Sequence, residues 1–319
     1  MCGFVGVYNF VDTDFKYIEE ASKAIAHRGP NDNHSKILHK DKLLFFFRRL
    51  SIIDLSKNGR QPMTSISKKY LIVFNGEIYN HKYLKDKYLS SHNFLGSSDT
   101  EIFINLIDKY GLFFALNKCE GMFSFALWDD QLKKLYLTID KNGEKPLYYY
   151  SNDKKIIFAS ELKAIKKFKN INLEIDNSSL RNYFNYGFIP SPSTIFKNVF
   201  KLKPGQLISI DSNFNKEELT YLSPKDIDHS NKRENNENLI NKLNILMNNS
   251  VEKMSQSDAP LGSFLSGGTD SSLIAAILQS QNTSKIDTFT LCNDDPRYNE
   301  SEYAIAIANQ IKSNHNVIK

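Results

Sequence analysis

Short apolar runs, alternating or continuous, fill the first two thirds of this 319-residue chain. "LLFFF", "YLIVFNG", "MFSFALWD", "KLYLTID", "PLYYY" and "KIIFAS" each have the length of a strand and are parted by polar or turn-forming residues. This predicts a sheet-rich segment from "CGFVGVYNF" to about residue 210, covered by a few helices. The clearest helical period is "SDTEIFINLIDKYG", where Ser98 and Glu101 form a capping-box pair and Gly111 a stop. In "GFIPSPST", Gly187 breaks a helix and Pro190 and Pro192 forbid regular structure, so a turn-rich connector is expected.

Beyond it, "SNFNKEELTYLSPKDIDHSNKRENNEN" is polar and Asn-rich with little to pack, and residues 213–238 read as a linker. Apolar residues then recur at helical spacing in "NLINKLNILMNNSVEKM". After that come a strand "PLGSFL", a loop "SGGTDSS", a helix "LIAAILQ", a strand "IDTFTLC", a capped helix "NESEYAIAIANQI" and a last apolar stub "HNVIK". Strand, helix, strand, helix, strand at this spacing predicts a doubly wound parallel sheet. The expected domains are therefore 1–212 and 239–319, with no internal repeats.

Composition adds bounds rather than a function. With 41% hydrophobic and 12% aromatic residues the chain has enough for two cores. The formal charge of +5 is spread among nearly as many acids as bases, with no basic block, so it reads as solvated surface rather than a nucleic-acid face. Cys2, Cys119 and Cys292 fit no disulfide or zinc spacing, which suits a reducing cytoplasm. No leader pattern opens the chain and no apolar stretch reaches about 18 residues, so no membrane partner is expected.

Two stretches carry chemistry. "SGGTDSS" lies between a strand and a helix, where Gly267 and Gly268 let backbone N–H groups approach an anion and the helix offers its unsatisfied amides. It lacks the Gly-Lys-Ser/Thr ending of a Walker loop, and it also reads as a tight turn with Asp270 as a helix cap. The second is Cys2 itself, directly behind Met1, where an aminopeptidase can expose it as the first residue. A thiol at a chain end is otherwise an ordinary solvated side chain.

"LSGGTDSS" resembles the pyrophosphate-binding loop of enzymes that adenylate their substrates, and "SDAPLGSFLSGGTDSSLIAAIL" with "DPRYNESEYAIAIA" resembles the synthetase domain of glutamine-hydrolysing asparagine synthetases. The motifs of that family's class II glutaminase domain follow in order: "MCGFVGVYNF", "HRGPND", "RRLSIIDLSKNGRQPM", "FNGEIYN", "SSDTEIF", "GMFSFALWD", "GEKPLYYY" and "GFIPSPSTIFKNVFKLKPGQ". The resemblance implies a four-layer αββα sandwich of the N-terminal-nucleophile type, followed by part of a doubly wound ATP-pyrophosphatase-type domain. It implies Cys2 as nucleophile, with its freed α-amine, of ordinary pKa about 7.7–8.0, as base. Asn75 and Gly76 become the oxyanion donors, although Asn-Gly after a strand also reads as a hairpin turn. Arg49 is implied as carboxylate partner and Asp99, helped by Glu77, as ammonium partner, with Leu50, Ser51, Ile52 and Ile53 completing the glutamine pocket. In isolation Arg48 and Arg49 read as surface cations and Asp99 as a first-turn acid.

For ATP, the resemblance implies Ser266, Gly267, Gly268, Asp270, Ser271 and Ser272, the backbone around Phe264 and Leu265, and Leu291 near adenine. Asp270 is the implied contact for Mg²⁺, while Cys119 and Cys292 read as buried small hydrophobes. Glutamine, aspartate and ATP are the implied substrates, and a homodimer is carried by the same resemblance. Asn31, Ile139, Asn142 and Phe47 depart from residues common in the family. The chain ends at "SNHNVIK", before the second phosphate-contacting segment of the family, so the expectation is an incomplete ligase half. That leaves a fragment, a truncated product or one piece of a split enzyme. The open alternatives are a glutaminase or amidotransferase serving another acceptor, a tRNA-modifying enzyme, and a non-enzymatic remnant.

Overall fold

The computed structural model describes residues 1–152, 154–222 and 236–319, which fall into two compact units on either side of residues 223–235. In the first unit β1 (Gly3–Tyr8), β2 (Asp32–Leu38), β3 (Leu43–Arg49), β8 (Tyr148–Asn152), β9 (Lys155–Ala159) and β10 (Val199–Lys201) form an antiparallel sheet ordered β10-β8-β9-β1-β3-β2. β4 (Met63–Thr64), β5 (Tyr70–Ile78), β6 (Gly121–Asp129), β7 (Lys134–Ile139), β11 (Gln206–Ile210) and β12 (Lys216–Thr220) form a second, ordered β12-β11-β7-β6-β5-β4.

Strand alternation sorts the apolar residues into layers. Along β1, Phe4 and Tyr8 enter the core between the sheets, whereas Val5 and Val7 pack outward with Ile18 and Ala21 of α1 (Asp14–Ala24) and Ala164 and Ile165 of α5 (Leu162–Ile165). Along β5, Leu71 and Val73 point into the inter-sheet core. Ile72 and Phe74 pack outward against α2 (His81–Tyr88), α3 (Asp99–Tyr110) and α4 (Leu112–Lys118). The result is the expected four-layer αββα sandwich. Trp128, Phe4, Phe45 and Phe47 are fully buried between the sheets, each contributing about 1.5–3 kcal/mol of transfer free energy.

Three details differ from the sequence reading. Residues 216–220, placed in the linker, are β12, paired with β11 from Gln206↔Thr220 to Ile210↔Lys216. An edge strand is held by backbone hydrogen bonds and exposes its side chains, so its polar pattern mimics a linker. The rest of the predicted linker, from 223 to 235, lies outside the described residues, and α7 (Asn236–Met254) already begins within the range assigned to it. At α3, Ser98 does cap the helix, its hydroxyl accepting from Thr100 N–H, but Glu101 accepts from Leu95 and Gly96 N–H rather than closing a box.

In the second unit β13 (Gly262–Phe264), β14 (Asp287–Leu291) and β15 (Asn314–Ile318) are parallel neighbours in that order. They are joined by α8 (Thr269–Ser280) and α9 (Ser301–Ile311). Leu265, Ala275, Ala304 and Ala308 form one small core, and Val251, Ile277, Leu278 and Ile286 another under α7. No helix of the described residues is long and apolar enough to cross a membrane.

Candidate active site

The same alternation that builds the layers delivers the predicted glutaminase residues to one end of the inter-sheet layer. Cys2 precedes β1 with the parity of Phe4 and packs against the inter-sheet core. Gly3 pairs with Arg48, so Arg49, with the parity of Phe45 and Phe47, comes opposite Cys2. On the facing sheet, Asn75 and Glu77 share the parity of Leu71 and Val73.

Asn75 and Gly76 are not a hairpin turn; they lie inside β5, paired with Ser124 and Phe123 of β6. A Cβ at Gly76 would stand 2.1 Å from Met122 O and 2.6 Å from Phe123 Cα, so backbone contact excludes any larger residue. The Asn75 side chain is 1% exposed and neither of its amide atoms has a hydrogen-bond partner. Buried polar groups are nearly always satisfied, so this amide has both its donor and its acceptor capacity free for a ligand or water.

The Cys2 Sγ lies 3.4 Å from Leu50 N and 3.5 Å from Leu50 O, which places Leu50 against the thiol. Burial pushes the Cys2 thiol above its ordinary value, so it rests protonated and needs a base. Ser51 N–H donates to Asn31 Oδ1 at 3.0 Å, which ties the loop after β3 to the residue before β2. Ile52 and Ile53 are half-buried in the loop after β3.

Arg49 is 6% exposed; one terminal nitrogen donates to Ser56 O at 2.7 Å and the other to Asp54 O. These bonds fasten the loop 54–59 over the guanidinium and leave other N–H groups for an anion. Arg48 donates instead to Ser22, a structural contact. Asp99 is buried and accepts from Ile78 N and Thr100 N, both at 2.8 Å, joining the end of β5 to the start of α3. Burial raises the carboxyls of both Asp99 and Glu77, and the Asp99 charge raises Glu77 further. Two carboxyls held this way gain a cation readily.

Sequence reasoning missed two residues here. Ser124, fully buried, has an unpartnered hydroxyl directly across from Asn75; its signal was one polar residue inside "MFSFALW". Lys145 is 6% exposed and donates to Met1 Sδ at 3.0 Å; it stands in "GEKPLYYY", quoted as a motif but not as a site.

In the second unit the loop "SGGTDSS" lies at the C-terminal end of β13, but Thr269, Asp270, Ser271 and Ser272 belong to the first turn of α8. The cap position is Gly268, with no side-chain cap; Ser272 N–H donates to Gly268 O at 3.0 Å, which leaves the amides of Thr269, Asp270 and Ser271 open, and Asp270 is an exposed acid rather than a cap. Gly267 has φ +82, and a Cβ there would meet Tyr303 Cβ at 2.5 Å. Ser266 and Ser271 share a hydroxyl contact of 2.9 Å, and Ser272 Oγ is buried without a partner. Phe264 and Leu291 end adjacent parallel strands with exposed side chains, whereas Leu265 is buried. The crevice beyond such strand ends is where open α/β sheets bind ligands. The described residues hold no group of three His, Cys, Asp or Glu suited to a metal, and Asp270 alone is a poor fit for a resident Mg²⁺. Cys119 is buried as expected, but Cys292 is half-exposed, because it follows β14 at its open end.

Residues 1–221 match the model of the glutamine amidotransferase domain. The chain belongs to that family. Residues 242–319 match the asparagine synthase model. Over 311 residues the chain is 34% identical to glutamine-hydrolyzing asparagine synthetase 1 of Bacillus subtilis (strain 168), covering 95% of this chain and 48% of that one. It is 33% identical to putative glutamine-hydrolyzing asparagine synthetase 2 of Methanocaldococcus jannaschii, covering 99% of this chain and 64% of that one. The chain thus spans about half to two thirds of the length of these relatives. A solved structure of glutamine phosphoribosylpyrophosphate amidotransferase from B. subtilis, complexed with ADP and GMP, superposes with a TM-score of 0.50 at 14% identity, over 99% of this chain and 65% of that one. That likeness concerns fold. The resemblance to glutamine-hydrolysing asparagine synthetases is borne out.

Proposed function

We propose that this amidotransferase chain is the glutaminase part, with the beginning of the ligase part, of a glutamine-dependent asparagine synthetase. Removal of Met1 frees the α-amine of Cys2, which takes the proton of the thiol. The thiolate attacks the side-chain amide carbon of glutamine, and the oxyanion that forms faces the Asn75 amide and the Gly76 N–H. Ammonia departs with the proton returned by the amine, and water then hydrolyses the thioester to glutamate. Arg49 pairs with the substrate carboxylate, and Asp99 with Glu77 takes its ammonium; together they select a free amino acid. The observation that carries this reading is the buried, unpartnered amide of Asn75 in the same layer as the Cys2 thiol.

In the second unit the open amides of α8, with Ser266, Gly267, Gly268, Asp270, Ser271 and Ser272, would hold the ATP phosphates, with Phe264, Leu265 and Leu291 beside the adenine. ATP would activate the aspartate side chain as an acyl adenylate, and the ammonia would displace AMP. A reducing cytoplasm and a homodimer belong to the same reading.

Exposure to diazo-oxo-norleucine followed by intact-mass analysis tests it. The expected result is loss of Met1 and one adduct on Cys2. A protein that retains Met1 and takes up no adduct would end the glutaminase reading. Release of AMP and pyrophosphate with aspartate, against ammonia release alone, separates the synthetase from a glutaminase serving another acceptor.

A further inference from the structure

Lys145 is buried, yet the hydrogen bond of its ammonium ends on a thioether, Met1 Sδ at 3.0 Å. A neutral sulfur repays little of what it costs to strip water from an ammonium, so packing alone does not account for this placement. The position is built. Asp140, fully buried, accepts from the N–H groups of Asn142, Glu144 and Lys145, each at 3.0 Å, and from Phe123 N–H at 3.1 Å. The loop that carries Lys145 is thereby clasped to the start of β6, beside Ser124.

A second buried cation shares the spot. Arg28 Nε donates to Cys2 O at 2.8 Å, and its terminal nitrogen lies 3.9 Å from the same Met1 sulfur. Its other side is paired with Glu161 at 3.1 Å. Both cations thus lie against the side chain of Met1, the residue whose carbonyl carbon is bonded to the nitrogen of Cys2.

We propose that Lys145 is a positioning residue for the amino-terminal base: with Arg28, its ammonium faces the nitrogen of Cys2 and keeps it unprotonated near neutral pH once Met1 is gone. The inference rests on the glutaminase reading and deepens it. A protonated amine between two fixed cations in a partly dry site is disfavoured, which lowers its pKa. At the Met1 amine, with Met1 still in place, burial lowers the pKa, Arg28 and Lys145 lower it further, and the Cys2 thiol and Glu77 oppose them. Around Lys145 itself, burial and Arg28 disfavour the charge, while Glu77, Glu144 and Asp140 favour it. Asp99 and Arg49 complete the charges around the thiol. The proton moves from Cys2 Sγ to the α-nitrogen and later to the departing ammonia; Lys145 transfers none.

An amine of ordinary pKa, about 7.7–8.0, is mostly protonated at pH 7, and lowering its pKa raises the neutral fraction that can take the thiol proton. The test is the pH profile of glutamine hydrolysis by the full chain carrying Lys145→Met or Lys145→Arg. For Lys145→Met the acid-limb midpoint rises, the rate at pH 7 falls at least about twofold and recovers near pH 9, and KM for glutamine stays within about twofold. Lys145→Arg restores the wild-type midpoint. An unmoved midpoint, or a loss equal at every pH, overturns the proposal. Should Lys145→Met fail to fold, the Cys2 amine is titrated in the wild type by ¹⁵N NMR; a midpoint at or above about 7.7 overturns it equally. A wild type that releases no ammonia and leaves Cys2 unlabelled refutes the glutaminase reading instead.

Discussion

Replacing Asn75 by leucine separates catalysis from stability. The two side chains have the same branching, but leucine, with a tetrahedral Cγ and two methyl groups, fills more space than the planar amide, which takes back part of any gain in stability. What disappears is a pair of polar atoms that are buried without a protein partner. Leaving a polar group unsatisfied costs about 1–3 kcal/mol, so Asn75→Leu should raise stability by about 1–2 kcal/mol. For a unit of this size that is about 2–4 °C in Tm per kcal/mol, read by scanning calorimetry of the full chain. Glutamine hydrolysis should move the other way. If Asn75 is the oxyanion donor proposed above, its loss costs about 10²–10³ in kcat, or about 2.7–4 kcal/mol of transition-state stabilisation. Alkylation of Cys2 by iodoacetamide should persist, because the thiol and its base are untouched. The reasoning fails if the variant loses about 1 kcal/mol or more of stability, since the amide would then be holding the fold. It fails equally if kcat falls less than about fivefold.

Two other perturbations test the loop and a helix end. Gly267→Ala places a methyl at φ +82 and 2.5 Å from Tyr303 Cβ, so it should cost the second unit about 2 kcal/mol or more, read as faster hydrogen exchange of β14 amides, and weaken ATP binding in a calorimetric titration. Exchange rates equal to wild type would refute the close-approach argument. Asp176 caps α6 (Asn177–Tyr186), and hydrogen bonds from the Ser179 hydroxyl, then the Ser178 hydroxyl, hold its carboxyl down to about 2 from 3.8. A depressed carboxylate stabilises above its unfolded value, and that contribution is lost as pH falls through the folded one. Wild-type stability should therefore decline between pH 3.8 and about 2 more steeply than that of Asp176→Ala in acid titrations followed by circular dichroism. Parallel curves would remove Asp176 from the account.

The strands of the sandwich core were legible because each apolar run had the right length and was bounded by turn residues. β2 and β12 were not: their side chains are largely exposed, and a polar edge strand is held by backbone bonds that no side-chain pattern reports. The loop "SGGTDSS" was placed correctly between strand and helix, but its last four residues are helix, because Gly268 caps by backbone conformation and leaves no side-chain signal. Asn75 and Gly76 show the limit most clearly. Locally the pair favours a hairpin, and the resemblance alone moved it into a pocket. Pairing of β5 with β6 holds both residues extended, with no room for a Cβ at Gly76.

The amino-acid sequence by itself determined which residues carry reactive groups, their order, and the alternation that assigns each strand residue to one face or the other. Only the tertiary structure decided which ends of four separate strands meet. That choice puts Cys2, Arg49, Asn75, Glu77 and Ser124 into one layer and brings Lys145 beside the chain's first residue. Strand alternation is a local property of the backbone, whereas register between sheets and the approach of a loop across them depend on how two cores pack.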